Sequence, residues 1–470
     1  MKVIKNYLYN ASYQVFILLV PLITTPYLAR VLGPKGVGIN SFTNSIIQYF
    51  ILLGSIGVNL YGNRQVAFVR DDKEKLSQTF YEIFFMRLTT VLFACFAFEV
   101  FILFIGKYQI YYLAQSVSII AAAFDISWFF MGVENFAITV LRNFIVKIVT
   151  LISIFVFVKS YSDLTMYILI LSLSLLIGNL TLFPGLRRYV EMPRLASLNI
   201  WRHLLPSLML FIPQIATQIY LVLNKTMLGL MTSVQASGYF DQSDKMIKMI
   251  LAVVTATGTV MLPHVANAFV RGEHKKTKEY LYTSFSFVTA ISVPMTFGLA
   301  AVTPKFVPLF FTNKFSSVIP VMMIESVVIL LIAWSNAIGT QYLLPTQQTS
   351  SYTFSVVLGA IVNLVANIPL ILFYGAIGAS IATVLSEFSV TFYQLAIIRG
   401  QIDYRSLFVD TFKYLFAGFI MFVVVIFFDR LFIISWVALI CEIIIGFVVY
   451  VLVLFVLRVK IIYQVKRLFK

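Results

Sequence analysis

The stretch AFVRDDKEK at residues 67–75 returns as AFVRGEHKK at residues 268–276, 201 positions later. Each copy is a short charged connection that follows a long apolar segment and precedes another. Slightly upstream the spacing is 200, so that Gly38 matches Gly238, and a one-residue insertion reconciles the two spacings. Because the loops and the helix pairs around them match in position, the sequence predicts an internal duplication.

This duplication divides the chain into two six-helix lobes, predicted at residues 1–190 and 191–400, and leaves residues 401–470 as two further helices with a basic tail. Each lobe has an even number of helices, so both have the same orientation in a membrane. Parallel repeats of this kind are a transporter architecture, with the substrate path at the interface of the lobes. The alternative is a duplicated scaffold that transports nothing.

Composition places these helices in a lipid bilayer. The chain is 60% hydrophobic and only 11% charged, its mean hydropathy is +0.93, and it contains 45 Phe. Uncharged runs of about 17 to 25 residues match the thickness of a bilayer. We therefore expect an all-α integral membrane protein with about fourteen transmembrane helices. The predicted segments are 10–31, 38–61, 78–105, 110–132, 137–158, 164–184, 204–230, 238–262, 281–311, 318–342, 351–374, 376–398, 411–428 and 432–457.

Most of the 35 lysines and arginines fall in alternate connections of this series, starting with the N-terminus. Since basic loops stay on the cytoplasmic side, both termini are predicted to be cytoplasmic. The net charge of +16 is then explained by topology beside anionic lipid, and nucleic-acid binding is unnecessary. The first apolar segment has no small-residue cleavage site and is expected to stay as a helix in a bacterial inner membrane.

The sequence carries no motif for catalysis. Walker A, HExxH and GxSxG patterns are absent, and no connection exceeds roughly twenty residues. The three histidines, His203, His264 and His274, lie in or beside predicted cytoplasmic loops and are expected to be solvated. Two cysteines in separate apolar runs imply neither a disulfide framework nor a metal cluster. We expect a protein that is not an enzyme and that needs no cofactor or metal.

Four charges interrupt the apolar pattern in YFDQSDKMIKMI, residues 239–250: Asp241, Asp244, Lys245 and Lys248. At about 100° per residue they occupy one face of the eighth helix. They have two interpretations, which the sequence leaves open. Asp241 with Lys245 and Asp244 with Lys248 are ordinary i,i+4 pairs, or all four line a hydrated cavity, because a charge near the bilayer centre costs about 2.5 to 3.5 kcal/mol or more.

The equivalent second helix carries the same polar face without charge, which includes Asn44 and Gln48. Helix 7 presents Gln214, Gln218 and Lys225 on one face, and its repeat mate, helix 1, presents Gln14. No acidic residue lies within four positions of Lys225 in the sequence, so local pairing does not account for it. Four polar faces that cannot all point at lipid favour a hydrated cavity between the lobes.

Prolines interrupt helices 1 and 7, and in membrane spans such breaks create bending points. The predicted hinges are Pro21, Pro26, Pro206 and Pro213. Arg30, near the outer end of helix 1, is either an interfacial anchor or a phosphate contact at an outer gate.

Other charges lie within predicted spans. Arg87 is expected to have a structural role, by snorkelling or by pairing within its lobe. Asp125, Lys147, Glu325, Glu387 and Glu442 are either partners within a lobe or parts of an ion path.

The run PLITTPYLARVLGPKGVGINSF at 21–42, followed by Gly62-Asn63-Arg64, resembles the opening of Wzx-type oligosaccharide flippases of the multidrug/oligosaccharidyl-lipid/polysaccharide exporter superfamily. NKTMLGLMTSVQASGYFDQSDKMIKM at 224–249 and TGTVMLPHVANAF at 257–269 resemble the seventh and eighth helices of the same family. The resemblance covers nearly the whole chain.

The resemblance implies two six-helix lobes around a cavity that opens to one side at a time. It implies an undecaprenyl-diphosphate-linked oligosaccharide that moves from the inner to the outer leaflet, with polysaccharide polymerase and chain-length machinery as partners. Lys225, Lys245 and Lys248 would suit the diphosphate, together with Arg30 at the outer gate. Amides suit sugar hydroxyls, because each amide both donates and accepts; these are Gln14, Asn44, Gln48, Gln214 and Gln218. Asp241 and Asp244 are cavity carboxylates or ion-coupling residues.

Three alternatives remain. A multidrug or cation antiporter of the same superfamily should place carboxylates without basic partners in its cavity. A membrane polymerase or ligase that acts on lipid-linked sugars should have a large outer loop, which this chain lacks. A scaffold for polymer assembly predicts no cavity.

Overall fold

A computed structural model describes residues 2–194 and 198–460; at residues 2–15, 212–214, 216, 217, 219–221, 257, 259 and 260 it describes the backbone only. The regular elements of these residues are all helical. The chain divides into two compact units, Met1–Thr226 (unit 1) and Met227–Lys470 (unit 2). The predicted lobe boundaries at 190/191 and 400/401 remain predictions.

Unit 1 is built from eight helices and most of a ninth. They are α1 (Lys2–Ser55), α2 (Val58–Val69), α3 (Lys73–Phe104), α4 (Gln109–Ala123), α5 (Ser127–Gly132), α6 (Phe136–Phe157), α7 (Leu164–Leu180), α8 (Phe183–Leu186) and α9 (Leu204–Met231).

Unit 2 continues from the end of α9. Its helices are α10 (Val234–Val270), α11 (His274–Phe310), α12 (Val318–Glu325), α13 (Val327–Ser335), a π-helix (Asn336–Leu343), α14 (Thr349–Tyr374), α15 (Ala376–Ile398), α16 (Tyr404–Leu407), α17 (Thr411–Leu431) and α18 (Trp436–Val456).

Each of the fourteen predicted segments coincides with a helix or with a run of successive helices. Among the described residues, eleven helices are long and apolar enough to cross a membrane, or twelve when a bent pair within α10 counts as one span. The first of these, residues 16–69, holds two predicted segments. The predicted fold class, an all-α integral membrane protein with many spans, is confirmed.

The corner between the first two predicted segments is Gly33. Its φ of 64° and ψ of −179° are the only non-helical backbone angles within α1. This combination is open essentially to glycine alone, because a Cβ would clash with the backbone. Pro34 follows, where a new helix needs no N–H donor. The chain turns at Gly33, and α1 is continuous through Pro21 and Pro26.

The second predicted segment is broken between α1 and α2. Ile56 has φ 33° and Gly57 has φ 70°, which ends one helix and starts the next. A positive φ is rare for a β-branched residue and marks local strain. The equivalent helix, α10, is bent by 42° between Ala256 and Met261, at the corresponding position of the repeat. The two repeat mates therefore change direction at the same level.

The repeated loop also occupies matched places. The first copy joins the end of α2 at Val69 to the start of α3 at Lys73, and the second joins Val270 to His274. Asp72 caps α3, since its carboxylate accepts a hydrogen bond from the Lys75 backbone N–H at 3.1 Å. Similar residues thus form the same turn in both halves of the chain.

Candidate polar cavities of unit 1 and charged groups in the spans

The four charges of 239–250 form two ion pairs along α10. Lys245 Nζ lies 2.5 Å from Asp241 Oδ2, and Lys248 Nζ lies 2.7 Å from Asp244 Oδ2. The lysine side chains are 42% and 46% exposed, whereas those of Asp241 and Asp244 are 7% and 15% exposed. The i,i+4 pairing, one of the two interpretations of the sequence, is present in the structure. A contact of these residues with substrate remains a prediction.

A first polar cavity, cavity A, lies in unit 1 where α1 breaks into α2 and α9 packs beside the break. Its volume is about 190 Å³. Gln48 and Gln218, both predicted to bind sugar, line this same cavity. Its other polar or aromatic lining residues are Tyr49, Ser55, Asn59 and Phe211.

Side chains from α9 satisfy the broken backbone beside cavity A. The Ser207 hydroxyl donates to the Ile56 carbonyl oxygen at 2.6 Å. A Cβ on Gly57 would lie 2.9 Å from Cβ of Phe211, so glycine is needed there for packing as well as for its φ. Irregular backbone within a membrane is tolerated where such donors satisfy it, and discontinuous helices typically form transporter substrate sites.

Arg87 of α3 supports the same region from within unit 1. Its side chain is 2% exposed, and Nη1 donates to Asn59 Oδ1 at 2.7 Å and to the Asp125 carbonyl oxygen at 3.0 Å. Nη2 lies 3.6 Å from Asp125 Oδ2. Arg87 therefore pairs within its unit, one of the two structural roles that the sequence allows.

Further along α9, the Thr226 hydroxyl donates to Ser45 Oγ at 2.8 Å and lies 3.2 Å from the Tyr49 hydroxyl. These contacts join α9 to the polar face of α1. The neighbouring Lys225 is half-buried.

A second polar cavity, cavity B, lies between α1, α4, α6 and α7 and has a volume of about 300 Å³. Asn44, the third described residue predicted to bind sugar, lines cavity B and not cavity A. Lys147 and Arg142 of α6 also line it. The structure therefore distributes the predicted sugar-binding amides of helix 2 over two cavities of one unit.

The remaining predicted site residues are placed as follows. Arg30 is exposed near the end of the first part of α1, and its Nη1 donates to the Pro26 carbonyl oxygen at 2.8 Å. Pro206 lies in the first turn of α9. The side chains of Gln14, Gln214 and Pro213 lie outside the described residues. The sugar, phosphate and hinge roles of the predicted residues all remain predictions.

The expectation that His203 is solvated is wrong. Its side chain is 6% exposed, with Nε2 2.8 Å from Glu82 Oε2 and Nδ1 2.8 Å from the Tyr61 hydroxyl. Arg202 Nη2 lies 2.6 Å from the same carboxylate, and the Asn199 backbone N–H donates to Glu82 Oε1 at 2.8 Å. Burial lowers the pKa of His203, although Glu82 opposes this. The fully buried Glu82 thus anchors the segment that leads into α9.

A second group missed by the sequence analysis lies in unit 2. Lys305 of α11, expected in an outer connection, is within the helix and only 3% exposed. Its Nζ bonds the fully buried Glu442 of α18, donates to the Asp429 carbonyl oxygen of α17 at 2.7 Å, and lies 3.3 Å from Asp429 Oδ1. This triad joins the two last helices to α11.

Comparison with known proteins agrees with this architecture. The sequence matches the family described as "Polysaccharide biosynthesis protein" over residues 3–269. A protein of Escherichia coli (strain K12) named for O-antigen transport is 22% identical over 402 residues, which are 84% of this chain and 97% of that relative.

Two solved structures share the fold. One is the lipid II flippase MurJ in an inward closed conformation, with a TM-score of 0.77, 17% identity and coverage of 95% of this chain and 98% of that one. The other is an inward-facing multidrug resistance MATE family transporter of the MOP superfamily, with a TM-score of 0.65, 11% identity and coverage of 83% and 98%. Because the family match covers more than half of the chain, the protein belongs to this family of polysaccharide biosynthesis proteins, and the resemblance to Wzx-type flippases drawn from its sequence is confirmed.

Proposed function

We propose that this protein is a flippase that moves an undecaprenyl-diphosphate-linked oligosaccharide repeat unit from the inner to the outer leaflet of a bacterial cytoplasmic membrane. Transport occurs by alternating access and involves no covalent chemistry. The flipped unit then reaches polysaccharide polymerase and chain-length machinery for assembly of a surface polymer. The family, the O-antigen transport named for the E. coli relative and the fold of a lipid II flippase support this proposal.

The observation that carries the proposal is the amide-lined cavity A at the break between α1 and α2. A scaffold has no need of polar cavities and a strained, broken helix within its spans, since buried polar groups and backbone strain both cost free energy. Amides suit the hydroxyls of a sugar because they donate and accept at once. Gln48 and Gln218 are the described residues that we assign to this contact, and Asn44 serves cavity B.

For the diphosphate, we assign Lys225 first and Lys245 and Lys248 second. An ammonium is a compact charge that binds a phosphate strongly in a cavity of low dielectric constant. Lys245 and Lys248 would exchange Asp241 and Asp244 for the phosphate. Arg30 would act at the outer gate. The lipid tail stays in the bilayer throughout.

A multidrug or cation antiporter is the second candidate, favoured by the likeness to the MATE fold. It requires accessible carboxylates that can exchange a cation. Neither described cavity of unit 1 has a carboxylate among its lining residues, and the carboxylates of 239–250 are paired with lysines. These features support the flippase over the antiporter.

Depletion of the protein in its host tests the function. We expect lipid-linked oligosaccharide to accumulate on the cytoplasmic face, measured by access of a membrane-impermeant sugar-modifying reagent. Lys225→Ala should fail to restore transport, whereas the matched control Lys275→Ala, at an exposed position outside the cavities, should restore it. Full rescue by Lys225→Ala would remove that residue from the site, and no accumulation after depletion would remove the function.

A further inference from the structure

Cavity B is a second polar chamber that lies wholly inside unit 1. The helices α1, α4, α6 and α7 each contribute polar side chains to it. Those that matter here are Asn44, Gln115, Lys147, Thr150 and Ser172. Four apolar membrane helices that place amides, hydroxyls and a lysine around one space have built a site for a polar ligand.

The charge of cavity B is positive. Lys147 and Arg142 line it, and none of its lining residues is a carboxylate. Arg142 Nη1 bonds Asn179 Oδ1 at 3.1 Å. Within the described part of the chain, no hydrogen bond or ion pair involves Lys147. The cavity therefore offers a cation that structural contacts leave available.

The position of Lys147 excludes two bland explanations. It lies near the middle of α6, about 15 Å from either end at 1.5 Å per residue, which is too far for its side chain to snorkel to an interface. Its side chain is exposed, and a charged group at mid-membrane must face water because contact with lipid costs several kcal/mol. Cavity B is therefore hydrated, and Lys147 is its principal charge.

The amides of cavity B are partly used. Gln115 is only 2% exposed, and its Nε2 lies 3.2 Å from Asn40 Oδ1. Its Oε1 accepts no hydrogen bond from any described residue. Buried side-chain acceptors normally have a partner, so this oxygen is available for a donor such as a hydroxyl. A carboxylate for Lys147 and a hydroxyl for Gln115 together describe an acidic sugar.

We propose that cavity B binds one acidic sugar residue of the transported oligosaccharide, with Lys147 as the partner of its carboxylate. This rests on the proposed function and narrows its substrate class to oligosaccharides that carry a negative charge beyond the diphosphate. A volume of about 300 Å³ is at the lower end of small-molecule pockets, so the chamber holds about one ring and not a whole repeat unit. A neutral sugar would leave the lysine without a partner.

Two synthetic probes test the proposal with the full-length protein in proteoliposomes. One is an undecaprenyl-diphosphate disaccharide whose second sugar is glucuronate, and the other carries glucose at that position. We expect the wild type to move the glucuronate probe faster. Lys147→Met should slow that probe by about tenfold or more, as expected for loss of a charge-assisted bond, and should leave the glucose probe unchanged. Lys147→Arg should keep most of the preference. Lys159→Met, at the exposed position just beyond α6, is the control.

Each outcome has a consequence. Equal transport of both probes by the wild type and by Lys147→Met overturns this inference and leaves the flippase intact. Loss of both probes in Lys147→Met and in Lys147→Arg assigns Lys147 to structure or coupling, which also overturns the inference. Transport of neither probe by the wild type overturns the proposed function itself. Thermal stabilisation of the purified protein by methyl glucuronide, and not by methyl glucoside, measures the same preference without transport.

Discussion

Replacement of Lys305 by methionine should release the last two membrane helices from unit 2. Methionine keeps the length and apolar character of the side chain but removes the ammonium. The fully buried Glu442 then loses its bonded partner, and Asp429 loses a charge 3.3 Å away. The cation bonds groups on both α17 and α18, so one substitution affects both helices at once.

The magnitude follows from burial. Lys305 is 4% exposed and Glu442 is 0% exposed at the side chain, so solvent screening is small. Removal of one partner of a buried pair costs about 3 to 5 kcal/mol, because the other charge stays buried without compensation. At 1.36 kcal/mol per factor of ten, α17 and α18 should open about 10² to 10⁴ times more often. Asp429 contributes less, since its side chain is 20% exposed and can reach water.

Hydrogen exchange of amides in α17 and α18, followed by mass spectrometry in lipid nanodiscs, measures this opening. Lys314→Met is the matched control, because Lys314 lies shortly after α11 and is exposed. Lys305→Met with Glu442→Leu should recover much of the protection, since an apolar replacement removes the buried charge. If Lys305→Met exchanges no faster than the control, or if the double variant is no better than the single one, the ion pair does not hold these helices.

Three further outcomes follow from other contacts. Glu82→Gln should destabilise unit 1 by about 3 kcal/mol, because the fully buried carboxylate loses charge-assisted bonds, and thermal unfolding against Glu279→Gln as an exposed control measures this. Burial lowers the pKa of His203 below the 6.5 of the unfolded chain, so its contribution is complete above about pH 6.5 and stability should fall as the pH drops below that value. His203→Gln should flatten this slope in melting curves. Gly378→Ala should prevent the close packing of α14 and α15, because its Cβ would clash with the Leu370 carbonyl, and cross-linking between these helices detects the loss.

The helices were predictable because local sequence determines them. Long apolar runs give the spans, the Gly33-Pro34 pair gives a corner, and i,i+4 spacing along 239–250 gives the Asp–Lys pairs that the structure contains. The cavities and buried anchors were not predictable, since they depend on residues far apart in the sequence. Glu82 and His203 are 121 positions apart, and Lys305 and Glu442 are 137 apart. A single sequence gives no signal for such contacts.

Burial separates the lysines within the spans into those that can change partner and those that cannot. Lys245 and Lys248 are nearly half exposed, and an ion pair with an exposed partner contributes only about 0 to 1 kcal/mol. Exchange of Asp241 or Asp244 for a phosphate would therefore cost little, so pairing in the empty protein and binding of substrate are compatible. Lys305 is 4% exposed, so its pair is fixed during transport. Charge reversal at Asp244 should thus alter transport, whereas change at Glu442 should alter folding.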